Sequence, residues 1–212
     1  MDFMQENCLL NVLYTCDDIK RHKQIQVGAF RFALGELLGA QAVGRIPGAD
    51  FVVPVPQSGL YYAMGLAKAL HIPYLQAIVK ENPLMRTFKE QPHRRETLVD
   101  GQLMIMPSLL EGKDVIVVDE AIFTGVALRV ICGKLKDSGV RKIFLCIPTP
   151  PCRRPCGQLP KGELLAAQMP LDEMAAYFGA DGVIFQSEEN FRMMMAQYET
   201  LSIRCFLAQT QE

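Results

Sequence analysis

Asp119 and Glu120 are adjacent carboxylates at the end of the apolar run Val115-Ile116-Val117-Val118, and Ala121-Ile122-Phe123-Thr124-Gly125 and a helical pattern over residues 126–135 follow them. Ionised acids only accept hydrogen bonds, so a neighbouring pair suits adjacent hydroxyls such as the 2- and 3-hydroxyls of a ribose. The helix opening behind the loop points unbonded backbone N–H groups outward, and these suit an anion. Acceptors for a diol beside donors for an anion describe a sugar phosphate. A plain strand-to-helix turn with a solvated acidic pair accounts for the same residues equally well.

Such a loop must sit beyond the carboxyl end of a strand in an open parallel sheet, where crevices form. The rest of the chain supplies that sheet. Strands are expected at residues 8–15, 51–55, 74–79, 114–118, 142–147 and 182–185, and helices at 26–38 (stopped by Gly39), 60–70, from 126, around 161–168 and 171–178, and at 188–198. Their alternation predicts an α/β fold, a mainly parallel sheet flanked by helices on both faces. Residues 80–101 are polar, basic and Pro-containing, and read as a long functional loop. Residues 148–156 carry too many prolines for regular structure.

The chain has 212 residues, half of them hydrophobic, and a formal net charge of −1. That suits one globular domain over residues 1–212 and argues against nucleic acid as the partner, since a phosphate backbone needs a basic face. The first residues lack the basic segment of a secretory signal, and no apolar run approaches the roughly 20 residues a bilayer demands. No membrane partner is expected, and the reading is cytoplasmic. Seven cysteines, an odd number, make disulfides improbable there. Cys132 and Cys146 fall in helical and strand patterns as small core residues.

The strand-acid-acid-loop-helix motif resembles the phosphoribosyl diphosphate (PRPP) motif of type I phosphoribosyltransferases. Further segments narrow the resemblance to the amidophosphoribosyltransferase family of purine biosynthesis. Pro54-Val55-Pro56-Gln57-Ser58-Gly59 is similar to its pyrophosphate loop, Arg86-Thr87-Phe88 beyond Lys80 to its flexible catalytic loop, and Pro150-Pro151, Arg154-Pro155-Cys156 and Gly179-Ala180-Asp181 to other segments. The resemblance implies a type I phosphoribosyltransferase fold with a flexible loop or hood. It also implies attack by ammonia or another amine on C1 of PRPP, with Mg²⁺ and release of pyrophosphate. By that match Asp119 and Glu120 hold the ribose hydroxyls, and Ala121, Ile122, Phe123, Thr124, Gly125, Val126 and Ala127 wrap the 5-phosphate. Gln57, Ser58 and Gly59 meet the pyrophosphate, with Lys80, Arg86 and Thr87 as the catalytic group. The alternative is a noncatalytic PRPP- or nucleotide-binding regulatory protein.

Several positions depart from the family pattern. Hydroxyl residues expected after the glycine are Val126 and Ala127, the aspartate of the pyrophosphate loop is Gln57, and basic residues expected between Val99 and Leu103 are Asp100 and Gln102. The family's N-terminal glutaminase domain has no counterpart in residues 1–212, so ammonia is expected free or from a separate glutaminase chain. A homo-oligomer is expected. Some members bind a [4Fe–4S] cluster, and Cys8, Cys156 and Cys205 match three of its ligands; Ser202 stands at the fourth, for which Cys152 could substitute. An iron–sulfur cluster, zinc and metal-free buried thiols all remain open. Arg94-Arg95 reads as a solvated charge run, Met193-Met194-Met195 as core filling, and His22, His71 and His93 show no ligand spacing.

Overall fold

The computed structural model describes residues 7–81, 97, 100–155, 163–198 and 201–207. In chain order these form a π-helical turn, Asn11–Thr15, then β1 (Arg21–His22), β2 (Ile25–Gln26), α1 (Val27–Ala42), β3 (Phe51–Pro54) and α2 (Leu60–Leu70). Next come β4 (Ile78–Lys80), β5 (Leu103–Ile105), α3 (Pro107–Leu110), β6 (Asp114–Val118), α4 (Val126–Asp137) and β7 (Lys142–Ile147). The remainder is α5 (Leu165–Gln168), a 3₁₀ turn, α6 (Met174–Phe178), β8 (Gly182–Phe185), α7 (Glu188–Met195) and a last 3₁₀ turn, Arg204–Phe206.

Four strands make a parallel sheet in the order β3-β6-β7-β8. The register sets Val53 opposite Val117 and Val117 opposite Leu145. Alternate residues of β6 face opposite cores. Ile116 and Val118 pack with Phe30, Leu34, Tyr62 and Leu66 of α1 and α2, whereas Val115 and Val117 pack with Leu128, Ile131 and Leu135 of α4. Both faces are covered, which is why β6 reads as a continuous apolar run rather than an alternating one. The expected α/β class and mainly parallel sheet are what the chain adopts.

Helices α1 and α2 pack backbone to backbone. A Cβ on Gly35 would lie 2.1 Å from Tyr62 O, and one on Gly65 would lie 2.0 Å from Phe32 O. Gly39 belongs to the same contact, where a Cβ would lie 2.6 Å from the Ala69 Cβ, so the helix runs through it to Ala42 instead of stopping there. The expected helix end at Gly39 is thus wrong: this glycine is small to let a helix approach.

The expected strand at 8–15 is also corrected. Leu9, Leu10, Val12 and Leu13 are buried around the π-helical turn, and an apolar run this short does not distinguish strand from helix. The strand expected at 74–79 shortens to β4, with Tyr74 bridging Val52, and pairs antiparallel with the unanticipated β5. The last long helix ends at Met195, before the expected Tyr198. Residues 82–96, 98 and 99, most of the expected functional loop, lie outside the described residues, as do His93, Arg94 and Arg95. Among the described residues, no helix is long and apolar enough to cross a membrane.

Candidate functional site

Because β3, β6 and β7 are parallel, their carboxyl ends share one edge of the sheet, and the chain leaves each of them through a site segment. From β3 it enters the Gln57-Ser58-Gly59 loop. Val55 N donates to Val118 O (2.8 Å) and Gly59 N to Val55 O (3.0 Å), which folds this loop onto the end of β6. Only glycine fits at position 59, since a Cβ there would lie 2.1 Å from Val118 O. Gln57 adopts φ +71°, a left-handed conformation that costs energy for a residue with a side chain.

From β6 the chain enters the acidic pair. Asp119 and Glu120 are 6 % and 5 % exposed. Ser58 Oγ donates to Asp119 Oδ1 at 2.6 Å, and Glu120 N donates to the same oxygen at 3.0 Å. Burial pushes the Glu120 carboxyl well above the usual carboxylate range, the neighbouring Asp119 pushes it further, and Ser58 pulls the other way. Its Oε2 is buried with no hydrogen-bond partner among the described residues. A buried, unmatched carboxyl oxygen costs roughly 1–3 kcal/mol or more, so it marks a place built for a donor from outside.

The loop that follows is anchored at both ends. Ala121 and Ile122 are buried in opposite cores, and Phe123 O accepts from Leu165 N at 2.7 Å. Gly125 has φ +74°, and a Cβ would press on Leu165 and Phe178 at 2.9 and 3.1 Å, so both conformation and space call for glycine. Arg129 N donates to Gly125 O at 3.0 Å, leaving the amides of residues 126–128 ahead of the first intrahelical bond of α4. Residues 121–127 carry one side-chain hydroxyl, that of Thr124.

The structure thus brings Gln57, Ser58 and Gly59 together with Asp119, Glu120 and residues 121–127. Lys80 ends β4 and is half-buried, where the chain runs into residues 82–96. Arg86 and Thr87 lie outside the described residues. Two contributors were not anticipated. Thr149, at the end of β7, is fully buried and donates to Glu120 O at 3.2 Å. Its place beyond a strand's carboxyl end was the available signal. Tyr62 lies behind the acids and donates to Leu13 O at 3.0 Å; burial raises its phenol, and Arg31 pulls the other way. Nothing in the residue pattern distinguishes it from an ordinary core tyrosine.

The cysteine segments also converge. Cys8 bridges Ser202, Ser202 N donates to Asn7 O (2.7 Å), and Arg153 N donates to Cys205 O (3.2 Å), tying both chain ends to the proline-rich segment. Cys8, Cys152 and Cys205 are buried there. Among the described residues, however, no three or more His, Cys, Asp or Glu side chains form a group that could hold a metal, and Cys156 lies outside them. The described donors therefore do not make up an iron–sulfur or zinc site. Cys132 and Cys146 are core thiols, both pushed up to about 12 by burial.

A parallel sheet whose strand ends converge on an acidic pair and a glycine-started helix defines a phosphoribosyltransferase domain. The chain belongs to this family: the family model for the phosphoribosyl transferase domain matches residues 41–164. Its relatives include amidophosphoribosyltransferases. That of Methanothermobacter thermautotrophicus is 33% identical over 147 residues, covering 67% of this chain and 31% of the relative. That of Synechococcus elongatus is 26% identical over 203 residues, 93% of this chain and 40% of the relative. Among solved structures, the glutamine PRPP amidotransferase of B. subtilis complexed with ADP and GMP superposes with a TM-score of 0.81 at 28% identity, over 96% of this chain and 46% of that one. The chain spans less than half the length of these relatives.

Proposed function

We propose that this domain binds PRPP and transfers its phosphoribosyl group to ammonia or another amine, releasing pyrophosphate, as a step of purine biosynthesis. The observation that carries the reading is the unmatched, buried Glu120 Oε2 beside Asp119, which calls for an external donor such as a ribose hydroxyl. The N–H groups of residues 126–128 suit the 5-phosphate. The loop at 57–59 suits the pyrophosphate. In the reaction the amine nitrogen forms a bond to C1 as the bond from C1 to the pyrophosphate oxygen breaks, the carbon inverts, and the nitrogen loses a proton. Positioning dominates such a step, because positive character develops at C1 and negative charge on the leaving group. The acids hold the sugar through its hydroxyls, and the pinned 57–59 loop fixes the departing end.

The donors on this edge are oxygens, which fit a hard cation brought in with the ligand. Bound Mg²⁺ would neutralise charge on pyrophosphate. Lys80, with Arg86 and Thr87, is proposed as the catalytic group, and the assembly as a cytoplasmic homo-oligomer that takes its ammonia free or from a glutaminase.

The hydroxyl-poor Val126-Ala127 segment favours a second reading, a regulatory domain that binds PRPP or a nucleotide without turnover. Calorimetric titration with PRPP and Mg²⁺, followed by pyrophosphate release with and without ammonium, separates the two. Ammonium-dependent release supports the transferase. Binding with no release to ammonium or other amines supports the regulatory domain, and no binding refutes both.

A further inference from the structure

The two halves of the site meet through one hydroxyl. Ser58 belongs to the loop leaving β3 and Asp119 to the end of β6, and Ser58 Oγ donates to Asp119 Oδ1 at 2.6 Å. A serine hydroxyl has a single proton. With that proton given to Asp119, the oxygen offers only lone pairs elsewhere, and lone pairs do not hold a phosphate oxygen. Asp119 Oδ1 also accepts from Glu120 N at 3.0 Å, so the carboxylate cannot turn without giving up two hydrogen bonds. The loop cannot slide away either. Gly59, next to Ser58, lies against Val118 O so closely that a Cβ would be 2.1 Å from it, and Val118 immediately precedes Asp119.

Resting on the sugar-phosphate reading above, we propose that Ser58 is a positioning residue for the ribose half of the site. Its hydroxyl acts through Asp119, holding one carboxylate oxygen so that the other is presented in a fixed orientation to a ribose hydroxyl. The pyrophosphate half falls to the backbone N–H groups of Gln57 and Ser58, since that of Gly59 donates to Val55 O. A short hydrogen bond to an ionised acceptor is stronger than a neutral one, which suits a strut between two loops.

The test is calorimetric titration of the full chain with ribose 5-phosphate and, separately, inorganic pyrophosphate, both with Mg²⁺, using the unaltered protein, Ser58→Ala and Ser58→Thr. Ser58→Ala weakens ribose 5-phosphate about tenfold and leaves pyrophosphate within about twofold, and Ser58→Thr, which keeps the hydroxyl, recovers ribose 5-phosphate. The opposite split, with pyrophosphate alone weakened, overturns the proposal. So does equal weakening of both ligands with a lowered melting temperature, which marks a merely structural serine. If the unaltered chain binds neither ligand, the sugar-phosphate reading itself fails. If it binds ribose 5-phosphate and Ser58→Ala binds it equally well, the role of Ser58 alone fails.

Discussion

Replacing Glu120 with glutamine removes a carboxyl whose proton the fold holds more tightly than the unfolded chain does, and the consequence is a pH-dependent gain in stability. The folded pKa of Glu120 lies well above the usual carboxylate range, mainly because the group is buried and secondarily because Asp119 adjoins it. Between the unfolded and folded pKa values the native state binds the proton and the unfolded state does not. Stability therefore falls as pH rises through that window. For one proton the slope reaches at most about 1.4 kcal/mol per pH unit, so from pH 5 to 7 the wild type gives up at most about 2.7 kcal/mol through this group. Glu120→Gln has no such proton and keeps a similar volume. The assay is urea denaturation of both proteins at intervals from pH 4.5 to 8. The stability of the variant minus that of the wild type should rise with pH across the window. A pH-independent difference, or one that falls with pH, would falsify the upward shift of the Glu120 carboxyl. The same proton offers a second readout: a ligand that donates hydroxyls to Glu120 favours the carboxylate, so proton release on ligand binding belongs to the wild type and is reduced in the variant.

Three further outcomes are expected. Gly59→Ala places a Cβ 2.1 Å from Val118 O and 2.9 Å from Val55 N, so it should lower stability by about 1–3 kcal/mol or more and weaken PRPP binding by at least about tenfold by displacing Ser58 from Asp119; thermal melting and calorimetry read the two effects. Arg31 is 3 % exposed and donates to Val12 O, Cys16 O and Asp18 Oδ1, so Arg31→Met strands three acceptors and should cost about 3 kcal/mol, a drop of roughly 6–12 °C in Tm. Val126→Thr, nearly isosteric, adds a hydroxyl where the phosphate loop lacks one and should tighten PRPP binding about tenfold; unchanged affinity would remove residue 126 from the phosphate site.

Much of the scaffold is legible because its strands are buried on both faces. The boundaries of β6, β7 and β8, and of α2 at Leu60–Leu70, coincide with those read from the residues, since each apolar run is bracketed by polar residues, glycine or proline. Short elements are another matter. β1, β2, β4 and β5 have two or three residues each, too few for any period to register. Gly39 misled because one residue type serves two physical purposes, ending helices and letting them touch. The acids and their loop were legible as chemistry. The Ser58–Asp119 contact was not, because it joins residues 61 apart in the chain and depends on the register of β3 against β6.

That register links the distant scaffold to the site. Gly35 and Gly65 let α1 and α2 come into backbone contact, and α2 begins directly after Gly59. Arg31 of α1 and Tyr62 of α2 both donate to carbonyls of the N-terminal segment, at Val12 and Leu13, so the helix pair is fastened to the buried turn as well as to itself. A helix fixed at both contacts cannot move along its axis, and the loop at its N-terminus is held at the height of Asp119. The cost of the left-handed Gln57 is then offset by packing well away from the acids. Loosening the pair by adding side chains at Gly35 or Gly65 should weaken ligand binding even though neither residue lies in the Gln57–Gly59 loop or the 119–127 segment.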